Sequence, residues 1–190
     1  CILRAFLMKR NTMHRNSVVL VDENDQEIGS EEKLLAHQQG LLHRAFSVFI
    51  TRQHEGVTQL LLQQRAACKY HGALLWSNSC CSHPQPNEDV KSSALARVVE
   101  ELGIHLKEIT WVGSHTYKAV MPNQLIEHEY DHLFVVQENP ALNHFNPQEV
   151  EALKWQSVDD IERDLKLTPE LFTPWFAPTF HKVKSALTSH

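Results

Sequence analysis

The segment that decides the fold is residues 87–103, with the sequence NEDVKSSALARVVEELG. Acidic residues at its start suit the positive end of a helix, and Gly103 suits the left-handed residue that ends one. Apolar residues recur at the i, i+3, i+4, i+7 spacing of a single helix face. They are Leu95, Val98, Val99 and Leu102. The segment therefore predicts an amphipathic helix that packs on a core.

Runs of β-branched and apolar residues on both sides of this helix predict strands. They are residues 17–21, 46–50, 58–62, 111–117 and 131–137. A polar turn at residues 22–26 leads to a short return through Ile28, and a turn at Gly56 joins two runs into a hairpin. Residues 158–165 and 174–187 are predicted to be helical. Strands and helices thus mix in one α/β (α+β) domain.

Composition and charge indicate a globular protein and argue against several classes of partner. The 190 residues are 42% hydrophobic and 22% charged, as in a globular protein with one core. A net charge of −5 argues against nucleic-acid and membrane partners, and no apolar stretch approaches the ~20 residues of a membrane span. Four cysteines are too few for a disulfide scaffold, so we expect a cytoplasmic setting. We also expect a monomer. We expect residues 1–16 to be an N-terminal extension, tag-derived or disordered, before a domain at residues 17–190.

Residues 76–84, WSNSCCSHP, place a thiol two positions before an imidazole. In an extended chain, residues i and i+2 point to the same side, so Cys81 and His83 share one face and Cys80 takes the other. Cys81 is open to two interpretations, an activated thiol or the small buried hydrophobe that free cysteine often is. Spacing alone does not decide between them, whereas Cys80 fits the buried role better.

Imidazoles and carboxylates are the second candidate constellation. Histidine supplies 13 of the 190 residues, well above its ordinary share. Glu127 and Glu129 repeat the two-residue spacing just before the predicted strand at residue 131, and His37 and His43 lie in a polar loop leading to Phe46. Mixed imidazole and carboxylate ligands suit a divalent ion. Each pair alone is weak evidence, because a lone histidine is more often a structural or surface group.

Basic residues around the Cys/His segment form a third group. They are Lys33, Arg65, Lys69 and Arg97. In a chain of net negative charge this grouping indicates an anion site, because arginine and lysine are the standard partners of phosphate. Separately solvated charges are an equally weighted alternative.

The helix at residues 87–103 is similar to the Nudix box. Alignment on Gly103 retains three carboxylates of that motif, at Glu88, Glu100 and Glu101. Three positions depart from it, at Ser82, Ala96 and Arg97. The similarity implies a Nudix-like mixed β-sheet sandwiched between helices that carries a different chemistry from hydrolysis.

Six ordered motifs resemble those of the type I isopentenyl-diphosphate delta-isomerases, from about residue 17 to residue 175. They are Lys33-x-x-x-His37, Leu42-His43-Arg44-Ala45-Phe46-Ser47, Gln64-Arg65-Ala66, Trp76-x-Asn78-Ser79-x-Cys81-x-His83-Pro84, Glu127-x-Glu129 and Pro174-Trp175. The resemblance implies a metal-dependent 1,3 proton shift between isopentenyl and dimethylallyl diphosphate in isoprenoid biosynthesis. It implies no organic cofactor.

By position, the resemblance also implies roles for particular residues. One divalent metal, Mn²⁺, Mg²⁺ or Zn²⁺, would be held by His37, His43, His83, Glu127 and Glu129. A second Mg²⁺, bound with the diphosphate, would be held by the Glu101 carboxylate and the Cys81 carbonyl. The four basic residues Lys33, Arg65, Lys69 and Arg97 would bind the diphosphate.

The resemblance implies that Cys81 and Glu129 transfer protons on opposite faces of the alkene, with Tyr117 hydrogen-bonded near Glu129. We favour Glu129 as the acid and a Cys81 thiolate as the base. Protonation of an alkene yields a tertiary carbocation that water would trap. An aromatic wall could stabilise it by a cation–π contact, for which Trp175 is the candidate, and Trp76 either shares this role or packs.

Two other classes of function are weighed against this one. A Nudix hydrolase is favoured by Glu100 and Glu101 and disfavoured by Ala96 and Arg97. A binding module with a structural zinc site would use Cys80, Cys81 and His83. Structural zinc sites usually carry paired Cys-x₂-Cys ligands, and the sequence contains no such pair.

Overall fold

The computed structural model describes residues 15–121 and 123–187, so residues 1–14 of the expected extension lie outside the described part. The strands are β1 (Ser17–Val21), β2 (Glu27–Glu32), β3 (His43–His54), β4 (Val57–Arg65), β5 (Trp76–Ser77), β6 (Cys80–Ser82), β7 (Thr110–Val120), β8 (Ile126–Gln137) and β9 (Val150–Ser157). The helices are α1 (Lys33–Gln39), α2 (Val90–Leu102), α3 (Val158–Leu167) and α4 (Phe176–Leu187), with a 3₁₀ turn at Pro169–Leu171. None of these described helices is long and apolar enough to span a bilayer.

The strands form a mixed sheet centred on β3. β3 runs parallel to β8 from the pair His43 and Glu129 to the pair Thr51 and Gln137. It also runs antiparallel to β6 at its first half and to β4 at its end. β4 in turn pairs with β5 and β9, and β8 pairs with β7. The predicted mixed sheet is confirmed.

Helices cover both faces of this sheet, as the alternation of side chains along β3 shows. Phe46, Val48 and Ile50 belong to the apolar cluster that includes residues of α2. Phe49 belongs to the opposite cluster with residues of α3 and α4. A strand buried on both faces reads as a nearly continuous apolar run, which is why residues 46–50 were readily predicted.

The predicted helix at residues 87–103 is confirmed as α2, and its ends have the expected chemistry. The Asp89 side chain accepts a hydrogen bond of 2.8 Å from the Ser92 amide, which caps the N-terminus. Gly103 ends the helix at φ 67°, where a Cβ atom would lie 2.5 Å from the His144 carbonyl oxygen. Only glycine therefore fits there. Of the predicted apolar face, Val98 and Leu102 are buried, whereas Leu95 and Val99 are only half-buried.

Two sequence predictions near the site were wrong. His37 does not lie in a loop but in α1, a seven-residue helix that Glu32 caps and that Gly40 ends at φ 63°. The strand predicted from residue 131 begins at Ile126. Its first inward positions are carboxylates, so the apolar signal of a strand starts late. Glu127 and Glu129 therefore lie inside β8, not before it.

Candidate active site

One face of the parallel pair β3–β8 changes from apolar to polar along its length. Leu133 and Val135 of β8 pack in the core under α4, whereas Glu127, Glu129 and Asp131 precede them on the same face and are buried. Alternation by two places all five on one side. A row of buried carboxylates therefore lies on one face of the sheet, where β3 and β8 begin, and forms the base of a site.

Five buried side chains converge at this end of the sheet. α1, β3, the residue after β6 and β8 supply them, and their ligand atoms all lie within 4.8 Å of one another. They are His37, His43, His83, Glu127 and Glu129. This is the set that the resemblance implied for a divalent metal, and the structure brings it together from four segments of the chain.

The orientation of the imidazoles fits a cation. His37 Nδ1 lies 2.5 Å from the Lys33 carbonyl oxygen, and His43 Nδ1 lies 2.8 Å from the Leu41 carbonyl oxygen. A carbonyl only accepts, so each Nδ1 carries the proton and each Nε2 offers its lone pair to the cluster. The Nε2 atoms of His43 and His83 face each other at 3.3 Å. Nitrogens that face each other beside two carboxylates suit a divalent ion that accepts imidazole and oxygen ligands.

Burial and charge set the protonation of this cluster. Burial lowers the pKa of His43, and burial with the nearby Lys33 charge lowers the pKa of His83 well below its usual range. Burial would also lower the pKa of His37, but the hydrogen bond and charge of Glu127 raise it above normal. Two of the three imidazoles are therefore held in the neutral form that a metal requires.

Glu129 divides its two oxygens between the cluster and a tyrosine. Its Oε1 lies 2.8 Å from His83 Nε2, and its Oε2 accepts a 2.5 Å hydrogen bond from the Tyr117 hydroxyl. Burial and the Glu129 charge raise the pKa of Tyr117 well above normal, so the hydroxyl keeps its proton and donates. Tyr117 lies where the resemblance implied.

The adjacent cysteines of β6 face opposite sides, as the alternation predicted. Cys80 lies in the apolar cluster with Phe46 and Val98. Cys81 packs against Met121 and Trp175 on the side of the site. Because Cys80 and Cys81 point to opposite faces of the sheet, they cannot bind the same zinc ion. This argues against a structural zinc site that uses both of these described cysteines.

The surroundings of Cys81 favour the protonated thiol over the thiolate. Burial and the carboxylates of Glu129 and Asp131 raise the pKa of Cys81 well above its ordinary value. This shift opposes a thiolate in the metal-free site, and the thiolate role favoured from the sequence stays a prediction. Asp131, which the sequence did not single out, accepts a 2.8 Å hydrogen bond from the Ser47 hydroxyl behind the cysteine.

The four predicted anion-binding residues line a single pocket together with Cys81, Glu101, Glu129 and Trp175. Two of them are paired with carboxylates. Lys69 Nζ lies 2.5 Å from Glu149 Oε2, and Arg97 lies 2.5 Å from Glu101 and 3.4 Å from Glu149. Lys33 is half-buried, and this burial with the Lys69 charge lowers its pKa. Four cations in one pocket, two of them buried and two half-buried, indicate a site for an anion in a chain of net charge −5.

Trp175 forms the buried wall of this pocket. Its indole N–H donates to the Ser77 hydroxyl at 3.0 Å, and the Arg65 guanidinium lies 5.3 Å from the centre of the ring system. Trp76, the other tryptophan considered, packs against the apolar cluster that includes residues of α3 and α4, and the Lys154 ammonium covers it at 4.1 Å. Trp76 is therefore a packing residue.

Two further residues of the pocket were missed from the sequence. Glu149 follows β8 by a long loop, and nothing local marks it as the partner of Lys69. His71 lies between β4 and β5 with its Nε2 3.2 Å from Glu127 Oε1. Burial lowers the pKa of His71 to about 3, so its ring is neutral. The sequence around it, with Tyr70 and Gly72, is typical of an ordinary turn. Only the folded structure shows the contact between His71 and Glu127.

The chain is similar to known proteins in both sequence and fold. The NUDIX domain family matches residues 41–176 of the chain. The isopentenyl-diphosphate Delta-isomerase of Photobacterium profundum is 42% identical over 90% of this chain and 96% of its own length. That of Pectobacterium atrosepticum is 44% identical over 90% of this chain and 93% of its own. Among solved structures, the MutT protein of Methanosarcina mazei has a TM-score of 0.61 at 16% identity, covering 77% of this chain and 96% of that chain.

Proposed function

The chain belongs to the isopentenyl-diphosphate Delta-isomerase family of NUDIX-domain proteins, and from this we propose how its pocket interconverts isopentenyl and dimethylallyl diphosphate. The observation that carries the proposal is one pocket that joins a thiol, a tyrosine-bonded carboxylate and four cations beside a five-residue metal cluster. Proton transfer at an alkene attached to a diphosphate needs these groups together.

The cations bind the diphosphate and so orient the alkene. Arg65, Lys33, Lys69 and Arg97 offer charge-assisted hydrogen bonds to phosphate oxygens. Lys69 and Arg97 exchange their contacts with Glu149 for the substrate. We propose that Glu101 and the Cys81 carbonyl hold the Mg²⁺ that accompanies the diphosphate.

The five-residue cluster would hold the other divalent cation, which we propose is Mn²⁺, Mg²⁺ or Zn²⁺. When bound, this cation supplies positive charge that fixes the Glu129 carboxylate and makes a proton on it more acidic. The other oxygen of Glu129 stays with Tyr117 and faces the pocket.

Proton transfer then uses two groups. In the forward direction one group adds a proton to the terminal alkene carbon, and the other removes a proton from the carbon next to the diphosphate-bearing CH₂. Glu129, with Tyr117, and Cys81 are these two groups. Because the reaction is reversible, each serves as acid in one direction and as base in the other. The tertiary cation between the steps faces Trp175, and Met121 and Leu125 keep water away.

A direct assay tests the proposal. The protein with Mg²⁺ and isopentenyl diphosphate should form the dimethylallyl isomer without release of phosphate. Phosphate release from nucleoside diphosphate derivatives without isomerisation would support a hydrolase and overturn the proposal. Arg97 argues against that outcome, because it stands at a position where the hydrolytic motif has a glutamate.

A further inference from the structure

His71 is a buried imidazole that no step of the proposed reaction uses. Its side chain is 7% exposed and lines the pocket. Its ring lies 6.1 Å from the ring of Trp175 and 6.0 Å from that of His37, centre to centre. It therefore stands between the aromatic wall and the metal cluster. It is not itself among the five residues whose ligand atoms converge.

The contact of His71 with Glu127 has a definite polarity. His71 Nε2 lies 3.2 Å from Glu127 Oε1, while Glu127 Oε2 lies 3.0 Å from His37 Nε2 inside the cluster. A carboxylate oxygen only accepts hydrogen bonds, so a favourable contact places the proton of His71 on Nε2. Glu127 Oε1 is buried and receives no hydrogen bond of standard geometry from the described residues, and His71 Nε2 lies within ion-pair distance of it.

The backbone around His71 is held on both sides. The Arg65 guanidinium donates to the His71 carbonyl oxygen at 3.2 Å, and the Asn123 side-chain amide donates to the Tyr70 carbonyl oxygen at 3.0 Å. Gly72 follows at φ 58°, where a Cβ atom would lie 3.2 Å from Arg65 Nε. The loop is therefore fixed against the anion site, and it holds the imidazole beside Glu127.

We propose that His71 is a positioning residue, whose Nε2–H holds Glu127 Oε1 so that Oε2 faces the metal cluster. Residues that hydrogen-bond to metal ligands fix the ligand geometry, and their loss typically weakens metal affinity about 10–100-fold. Because Arg65 holds the His71 backbone, the same residue links the diphosphate site to the metal site. This inference rests on the metal cluster of the proposed function.

The test measures metal binding directly, without turnover. Chelator-treated full-length protein is titrated with Mn²⁺ by calorimetry, and free Mn²⁺ is followed by electron paramagnetic resonance. The variants are His71→Ala, His71→Asn and His71→Gln, with the exposed His54→Ala as the matched control. Glutamine places an amide N–H near the position of Nε2, whereas asparagine is too short and alanine has no donor.

We expect His71→Ala and His71→Asn to weaken Mn²⁺ affinity by about 10–100-fold, with His71→Gln close to the wild type and His54→Ala unchanged. Circular dichroism checks folding, and the asparagine variant decides if the alanine variant is unfolded. Wild-type affinity in the asparagine variant would overturn the inference, as would a glutamine variant as weak as asparagine. If the wild-type protein binds no Mn²⁺, the metal site of the proposed function fails and this inference fails with it.

Discussion

Cys80 and Cys81 are neighbours in the chain, yet they belong to different parts of the molecule. Cys80 is fully buried among the apolar side chains between the sheet and α2. Cys81 faces the pocket with Trp175 and lies near the Glu129 carboxylate. Strand alternation alone separates them. The comparison teaches that adjacent positions of β6 contact different surroundings, apolar core at Cys80 and the pocket at Cys81, so equal substitutions at the two cysteines should have unequal effects.

The largest effect should come from Glu129, which has one oxygen in the metal cluster and the other on Tyr117. In Glu129→Gln an amide can neither accept nor deliver the proton, so turnover should fall by at least ~10²–10⁴-fold. Steady-state isomerisation with excess Mg²⁺ measures this loss. The exposed Glu23→Gln is the matched control and should leave turnover unchanged. A Glu129→Gln variant with more than a tenth of wild-type turnover, roughly, would contradict a proton-transfer role.

The two cysteines test the comparison directly. Cys81→Ala should lower turnover by ~10²-fold or more, and Cys81→Ser should fare little better because an alcohol is a far weaker acid than a thiol. Cys80→Ala should keep turnover within a few-fold and cost about 1 kcal/mol of unfolding free energy for the small cavity it leaves. Assays and urea unfolding of both variants measure these effects. An inactive Cys80→Ala beside an active Cys81→Ala would reverse the assignment of the two faces.

Arg65 and Arg52 extend the comparison to two arginines that each cover a tryptophan. The Arg65 guanidinium lies 5.3 Å from Trp175 inside the pocket, and that of Arg52 lies 4.4 Å from Trp155 outside it. Arg65→Ala should weaken binding of the diphosphate by roughly 1.5–3 kcal/mol, which corresponds to a KM about 10–100-fold higher. Arg52→Ala should leave KM unchanged. Lower turnover at an unchanged KM in Arg65→Ala would show that Arg65 does not bind the diphosphate.

The sequence predicts those parts of the fold and of the site whose sequence pattern is contained in a short segment of the chain. α2 was predicted closely because its cap at Asp89, its apolar spacing and Gly103 all lie within one short segment. The opposite facing of Cys80 and Cys81 followed from the alternation of an extended chain. The resemblance, read motif by motif, supplied the residues that the structure brings together in the pocket.

Other features depend on contacts that no local pattern contains. The beginning of β8 was missed because Glu127 and Glu129 occupy inward positions that are normally apolar. The helical position of His37 was missed because α1 has only seven residues and Lys33 begins it. His71 gave no signal, since its role depends on Glu127, which reaches it only through the fold.

The smallest expected effect is on the pH dependence of stability in the metal-free protein. Burial lowers the pKa of His43, His71 and His83, so their contribution to stability is present above about pH 6.5 and is lost as the pH falls. His37 has a raised pKa and acts in the opposite sense, since its contribution is lost as the pH rises. Three groups outweigh one, so the melting temperature in chelator should fall between about pH 7 and pH 5.

Thermal unfolding of chelator-treated protein across this range checks the expectation. His71→Gln, which has no titrating imidazole at that position, should show a shallower decline than the wild type. A melting temperature that rises towards pH 5 would contradict the assignment of neutral buried imidazoles on the pocket face.

The parallel pairing of β3 with β8 has a consequence for the order in which the chain folds. His37 and Glu127 are 90 residues apart in sequence, and His83 and Glu129 are 46 apart. Contacts of such long range carry a large loop-closure entropy and slow folding. The cluster of three histidines and two glutamates should therefore assemble late, after its four segments have met. A metal that binds only the completed cluster should slow unfolding far more than it speeds folding. Bound metal would then raise the kinetic stability of the native state.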